Sequence, residues 1–231
     1  MKRHRPQQLT LPFPGRGGFR KKAGRLELHD ACLRHRRRPA LSARHPVHVT
    51  VRLRRGLPYL RSNKTYALLR RVFEAGRDRF GFRLVHYSVQ LGHIHLIVEA
   101  EDRVALSRGM KGLLVRVARA INKLGGTAGQ VFPKRYHEHV LRTPREVRHA
   151  LCYVLHNAKK HRMRLDEGLD PFTSIPWLET DAWKEDVTIR GTEDWASPVV
   201  IARTWLLTTG WRRHGLLSIE EVPGPSRGSP A

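Results

Sequence analysis

His93-Ile94-His95 sets two imidazoles two residues apart, with Ile94, Leu96 and Val98 as the alternating apolar positions. On an extended strand successive side chains leave opposite faces, so both rings share one face while the aliphatic residues enter a core. Two neutral imidazoles side by side are the makings of a metal site. Alone, the pattern is not specific. The chain holds 14 histidines and repeats the spacing at His137-Glu138-His139.

A second set of reactive side chains lies further on. Pro144 suits the first turn of a helix, and the pattern predicts one running to about Arg162. His149, Tyr153, Asn157 and Lys160 then stack along one face, while Val147, Ala150, Leu151, Val154 and Ala158 form the packing side. For such a helix in isolation, a core tyrosine and a surface asparagine are the plainer reading. Joined to the histidine pair, the set has a chemistry. Asn157 supplies an oxygen that completes a His/His/Asn ligand set with positions left for a phosphate, and Tyr153 stands one turn away as a nucleophile. A phosphodiester resists attack because its charge repels nucleophiles, and a divalent ion on a non-bridging oxygen neutralises that charge. The phenol needs activation, by the ion's field or by a cation such as Lys160. Covalent capture conserves the phosphodiester bond energy, so strand transfer needs no ATP. Glu138 either assists the ion or a water, or pairs with surrounding arginines.

The elements that must position these groups are legible. Val47 to Leu53 alternates, with His48, Thr50 and Arg52 opposite the valines, and reads as a half-buried strand. Ser62-Asn63 caps a helix through about Phe80 with Tyr66, Leu69, Val72 and Phe73 as its apolar stripe, ended by Gly81. Arg83 to Val89 and His93 to Glu99, joined at Leu91-Gly92, form an antiparallel hairpin. Val104 to Leu124 is a long helix burying Leu106, Met110, Leu113, Leu114, Val117 and Ile121, stopped by Gly125-Gly126. Tyr136 to Leu141 is a short strand. The order β-α-β-β-α-β-α predicts an α+β fold: a ferredoxin-like antiparallel sheet with helices packed on it, on one side.

Three regions follow. Residues 1–44 are polar, Pro/Gly-bearing and basic, a flexible arm in which Arg20, Lys21, Lys22 and Arg25 would track DNA. Residues 45–165 carry the reactive groups. Residues 166–231 shift toward Asp, Glu, Trp, Pro and Thr and hold all five tryptophans, read as an appendage folded back on the core with a loose tail from Pro223. Val199 to Thr208 suits a short helix there. The tryptophans are packing residues or a base-stacking platform.

The formal net charge of +24, from 44 Lys and Arg against 20 Asp and Glu, is extreme for 231 residues. Self-repulsion on that scale favours a polyanionic partner, so nucleic acid leads. Arg52, Arg54, Arg55, Lys111, Arg116, Arg119, Lys134 and Arg135 are the candidate phosphate contacts outside the arm. No run of 18 apolar residues is present, which argues against a membrane partner. Cys32 and Cys152 form neither a disulfide framework nor a zinc knuckle, and no secretory signal is visible, so a cytoplasmic, nucleoid-associated setting is expected.

Four blocks carry a resemblance: Val47-His48-Val49-Thr50, Gly92-His93-Ile94-His95-Leu96-Ile97-Val98, Tyr136-His137-Glu138-His139-Val140 and Tyr153-Val154-Leu155-His156-Asn157. In order and spacing they resemble the IS200-like Y1 transposases of the HUH type, and within them the REP-associated tyrosine transposase branch. The match covers roughly His45 to Arg162, and its specificity lies in the four blocks together. The resemblance implies a ferredoxin-like nuclease fold and a Mg²⁺ or Mn²⁺ ion held by the histidine pair. It also implies a tyrosine that forms a 5′-phosphotyrosyl link and leaves a free 3′-OH. It assigns His93 and His95 as ligands, Asn157 as the third ligand and Tyr153 as the nucleophile, acting as monomer or homodimer on single-stranded or hairpin-forming DNA. The chain departs from the pattern at Gln90-Leu91-Gly92, where relatives carry Met-Pro-x, and at Asn157-Ala158-Lys159, where they carry Asn-Pro. Neither departure removes a reactive group. Two other readings stay open: a domesticated, non-catalytic nucleic-acid binder of the same fold, and a basic RNA-associated protein. The latter accounts for the charge but not for the His/Tyr/Asn pattern.

Overall fold

Alternation along Val47–Arg52 (β1) puts Val47, Val49 and Val51 entirely inside, and leaves His48, Thr50 and Arg52 on the other face. This strand is the sheet's organiser in the computed structural model, which describes residues 39–161, 165, 169–185 and 196–224. It pairs antiparallel with His93–Ala100 (β4) on one side and His137–Val140 (β5) on the other. Phe82–Val89 (β3) flanks β4, and the two-residue strand Asp78–Arg79 (β2) flanks β3. The order β2-β3-β4-β1-β5 is antiparallel throughout, and without β2 it is the ferredoxin-like order.

Asn63–Gly76 (α1) starts where its cap requires: Ser62 accepts a hydrogen bond from the Thr65 amide. It stops four residues before Phe80, because residues 78–83 turn back on themselves as a tight hairpin instead of continuing the helix. Arg103–Gly125 (α2) is capped by Asp102 and closed by left-handed Gly126. Leu69 and Phe73 of α1, with Leu106, Met110, Leu113, Val117 and Ile121 of α2, pack on the valine face of β1 and on Leu96 and Val98 of β4. Gly109 makes this close approach feasible, since a Cβ there would meet the Phe82 ring at 2.1 Å.

Helices do not all lie on one side. Pro144–Leu155 (α3), held at its start by a Thr143/Glu146 capping box, packs across the opposite face on Val85 and Ile97. The cause is that β3 and β4 are buried on both faces, so the side carrying the histidines also holds apolar residues needing cover. The same second core takes in Ile175, Trp183, Leu206, Leu207, Trp211 and Leu217. Residues 172–174 and 200 also hydrogen-bond the backbone of β3, covering its exposed edge. The C-terminal segment is thereby part of the sandwich. The helix expected over Val199 to Thr208 is limited to Trp205–Thr208. At the other end Leu41 is buried in the first core, so packing begins before His45. Arg20, Lys21, Lys22, Arg25 and Trp195 lie outside the described residues.

His86 on β3 is enclosed by this arrangement, with Ser174 Oγ 3.3 Å from its Nδ1. Burial pushes it down to about 4. The unfolded chain takes up that proton near 6.5, so the stability is complete above 6.5 and is lost as the pH falls from there to about 4. The loss attributable to His86 is about 3 kcal/mol. Urea unfolding at pH 7.5 and 4.5 should show a smaller acid loss for His86→Gln than for the unaltered chain; equal losses would remove His86 as the cause.

Candidate active site

Strand register assembles the site. Thr50 of β1 stands opposite His95 of β4 and His137 of β5, and Arg52 stands opposite His93. Cross-strand partners share a face, so His48, Thr50, Arg52, His93, His95, His137 and His139 all occupy the side covered by α3. The His93 and His95 rings lie 4.7 Å apart between centroids, nearly perpendicular. Tyr153, half-buried on α3, sets its ring edge-on 5.2 Å from His95 and 5.8 Å from His48. The Lys160 ammonium lies 4.6 Å from the centre of the Tyr153 ring.

His95 is the pivot. Its Nδ1 is 3.1 Å from Thr50 Oγ1 and 3.2 Å from His48 Nε2. With Nδ1–H donated to Thr50, Nε2 is left as a bare lone pair, and that atom is buried with no partner. Burial, then the neighbouring His48, His93, His161 and Lys160, push His95 down to about 2. Burial with His161 and Arg52 lowers His93 to about 4, and burial with His139 and His137 lowers His48 to about 4. All three rings are therefore neutral at pH 7, the state in which imidazole donates a lone pair.

The helix expected to reach Arg162 breaks. His156 leaves helical geometry at φ −102°, ψ 20°, and a four-residue turn, Asn157–Lys160 (α4), follows. The interruption has a tertiary cause: His156 Nδ1 lies 2.9 Å from the Glu221 carbonyl and its ring stacks on Trp183 at 5.7 Å, both in the C-terminal segment. Asn157, beyond the break, is fully buried instead of sharing an exposed face with His149, and neither its amide oxygen nor its nitrogen has a partner. Among the described residues, no cluster of three or more His, Cys, Asp and Glu side chains is placed to hold a metal ion. A cation would instead rely on imidazole and amide donors, and two of the three sequence-assigned ligands carry an unsatisfied buried donor atom.

Other sequence candidates are dispersed. Glu138 points to the valine face and pairs with Arg103 at 2.5 Å, so it is the salt-bridge reading that applies. Lys111, Arg116 and Arg119 line the outer side of α2, together with Arg108, across the sheet from Tyr153. Lys134 and Arg135 are exposed in the stretch before β5. Among the proposed phosphate contacts outside the arm, Arg52 directly neighbours the histidine pair. His48 and Thr50 were visible as the polar side of a strand, without a signal tying them to His95. His161, its ring 6.0 Å from His93, carried no signal beyond its residue type.

No helix among the described residues is long and apolar enough to cross a membrane. No family model and no curated protein sequence matches the chain. Among solved structures, a REP-associated tyrosine transposase bound to a REP hairpin superposes with a TM-score of 0.54 at 20% identity. The superposition covers 74% of this chain and 96% of that one. The chain thus has the antiparallel α+β fold that this tyrosine transposase also adopts.

Proposed function

We propose that the chain is a DNA-processing enzyme of the HUH tyrosine transposase family, REP-associated branch, which cleaves and rejoins single-stranded DNA at hairpin-forming sequences through Tyr153. The observation that carries this reading is the Tyr153 ring seated 5.2 Å from His95, whose Nε2 is buried and unpaired. Asn157, four residues from Tyr153, adds an unsatisfied oxygen donor to the His95 nitrogen. The likeness to a protein bound to a REP hairpin and the +24 charge support a DNA partner.

His93, His95 and Asn157 would hold Mg²⁺ or Mn²⁺, which when bound would neutralise phosphate charge and polarise its oxygens. Thr50 and His48 fix the His95 ring from behind, holding Nε2 toward the site. Tyr153 oxygen gives up its proton to solvent as it bonds to phosphorus, and the bond from phosphorus to the 3′ oxygen breaks. The departing 3′ oxygen takes a proton and becomes a hydroxyl. The Lys160 cation favours negative charge developing on the phenol during attack. Reversal, by the same or another 3′-OH, rejoins the strand and releases the tyrosine.

The unaltered chain, incubated with Mn²⁺ and a library of hairpin-bearing oligonucleotides, should form a denaturant-resistant protein–DNA adduct that chelator abolishes. An adduct insensitive to chelator would remove the metal from the reading. No adduct on any oligonucleotide, with hairpin binding intact, would leave a non-catalytic binding protein.

A further inference from the structure

A cavity of about 660 Å³ opens on the same face of the sheet, at the other end of α3. Its walls include Arg44, Arg83, Glu99, Arg142, Arg203 and Trp205. Glu99 and Arg83 are committed internally: Glu99 accepts from Arg83 and from the backbone amides of Arg203 and Thr204, and Arg83 also pairs with Asp78. Arg44, Arg142 and Arg203 are exposed and form no ion pair among the described residues. Glu101 is the remaining carboxylate at the rim, so the excess charge is positive.

Trp205 distinguishes this cavity from a merely basic hollow. Trp183 and Trp211 are buried, whereas Trp205 is 49% exposed. It is nevertheless held in place. The Arg213 guanidinium lies over the indole at 4.9 Å, and Gly210 packs so closely that an added Cβ would meet the ring at 2.7 Å. An aromatic plane fixed at the mouth of an arginine-rimmed cavity suits an unpaired base stacked on the ring, with its flanking phosphates on the arginines.

The route to Tyr153 is marked. Arg145, His149 and Tyr153 follow at i, i+4 and i+8 along α3, with Arg142 just before its start. Arg145 and His149 are exposed. From Pro144 to Tyr153 the helix rises about 13 Å, which a strand stacked at about 3.4 Å per nucleotide covers in about four nucleotides. We infer that the Trp205 cavity is a second DNA subsite, which captures an unpaired base about four nucleotides from the phosphate presented to Tyr153. The distance rests on the DNA-cleaving reading of Tyr153; the base-binding cavity does not.

The test compares a blunt DNA hairpin with the same hairpin carrying an eight-nucleotide single-stranded extension, bound to the full chain. Trp205→Ala should weaken binding of the extended hairpin on the order of tenfold and leave the blunt one unchanged. Trp205→Phe should restore most of the loss, and the Arg142→Glu/Arg203→Glu pair should reproduce it. To avoid dependence on folding of a variant, 5-iododeoxyuridine placed at successive extension positions should photo-cross-link the unaltered chain at Trp205, with a maximum about four nucleotides from the scissile phosphate where an adduct forms. Unchanged binding by Trp205→Ala, equal losses on both hairpins, cross-links elsewhere, or tighter binding of an RNA extension would each overturn the DNA subsite. An absent Tyr153 adduct with Trp205-dependent binding retained would overturn only the cleavage reading. The converse result would overturn only this one.

Discussion

Tyr153→Phe is expected to lower covalent adduct formation by at least about 10³-fold, the scale on which removal of an enzyme's nucleophile acts, while hairpin affinity changes less than about twofold. The substitution deletes one oxygen and nothing else. The ring that packs edge-on against His48 and His95, and carries the Lys160 ammonium near its centre, is retained. The local fold therefore has no reason to move, and α3 keeps its capped start and its buried stripe. Denaturing gels after incubation with Mn²⁺ and a cleavable hairpin read the adduct, and anisotropy reads the binding. An adduct that survives in Tyr153→Phe would transfer the nucleophile to another residue, and the assembly around His95 would lose its assigned purpose.

Asp170→Ala should cost about 3–5 kcal/mol of folding stability, the range for stranding a buried charge. Asp170 receives both Arg61 nitrogens, at 2.8 and 2.9 Å, and the two side chains are 6% and 1% exposed. Arg61 is further bound to the Val89 carbonyl at 2.9 Å and lies over the Phe172 ring at 4.4 Å. Removing the carboxylate leaves a buried guanidinium whose charge is no longer compensated. The damage falls on a junction: Arg61 precedes α1, Val89 ends β3, and Phe172 belongs to the segment that covers the β3 edge. Urea unfolding should register the loss, and Arg61→Leu in the Asp170→Leu background should recover much of it, since two apolar groups need no pairing. A loss below about 1 kcal/mol would mean the pair is hydrated in solution.

Much of the architecture is local and was legible as such. Ser62 marks a helix start because its side chain reaches a backbone amide only three residues away, and Pro144 marks another because its fixed φ suits the first turn. Alternation in β1 and the closeness of β3 to β4 dictate an antiparallel hairpin and a two-faced strand. The same periodicity put His93 and His95 on one side together, because a strand has only two sides to offer.

Neighbourhood across the sheet was another matter. That His48 and Thr50 back His95, that Glu138 faces Arg103, and that Lys111, Arg116 and Arg119 lie away from Tyr153 all follow from register and layering, which depend on residues tens of positions apart. The turn at His156 could not be read from helical periodicity, since the group that interrupts it is a carbonyl 65 residues onward. Trp205 likewise carried no sequence signal setting it apart from the other tryptophans, and only packing separated its exposed indole from the buried Trp183 and Trp211. Short-range geometry determined which reactive side chains travel together on one element; burial of two cores on opposite sides of a single sheet decided which elements meet.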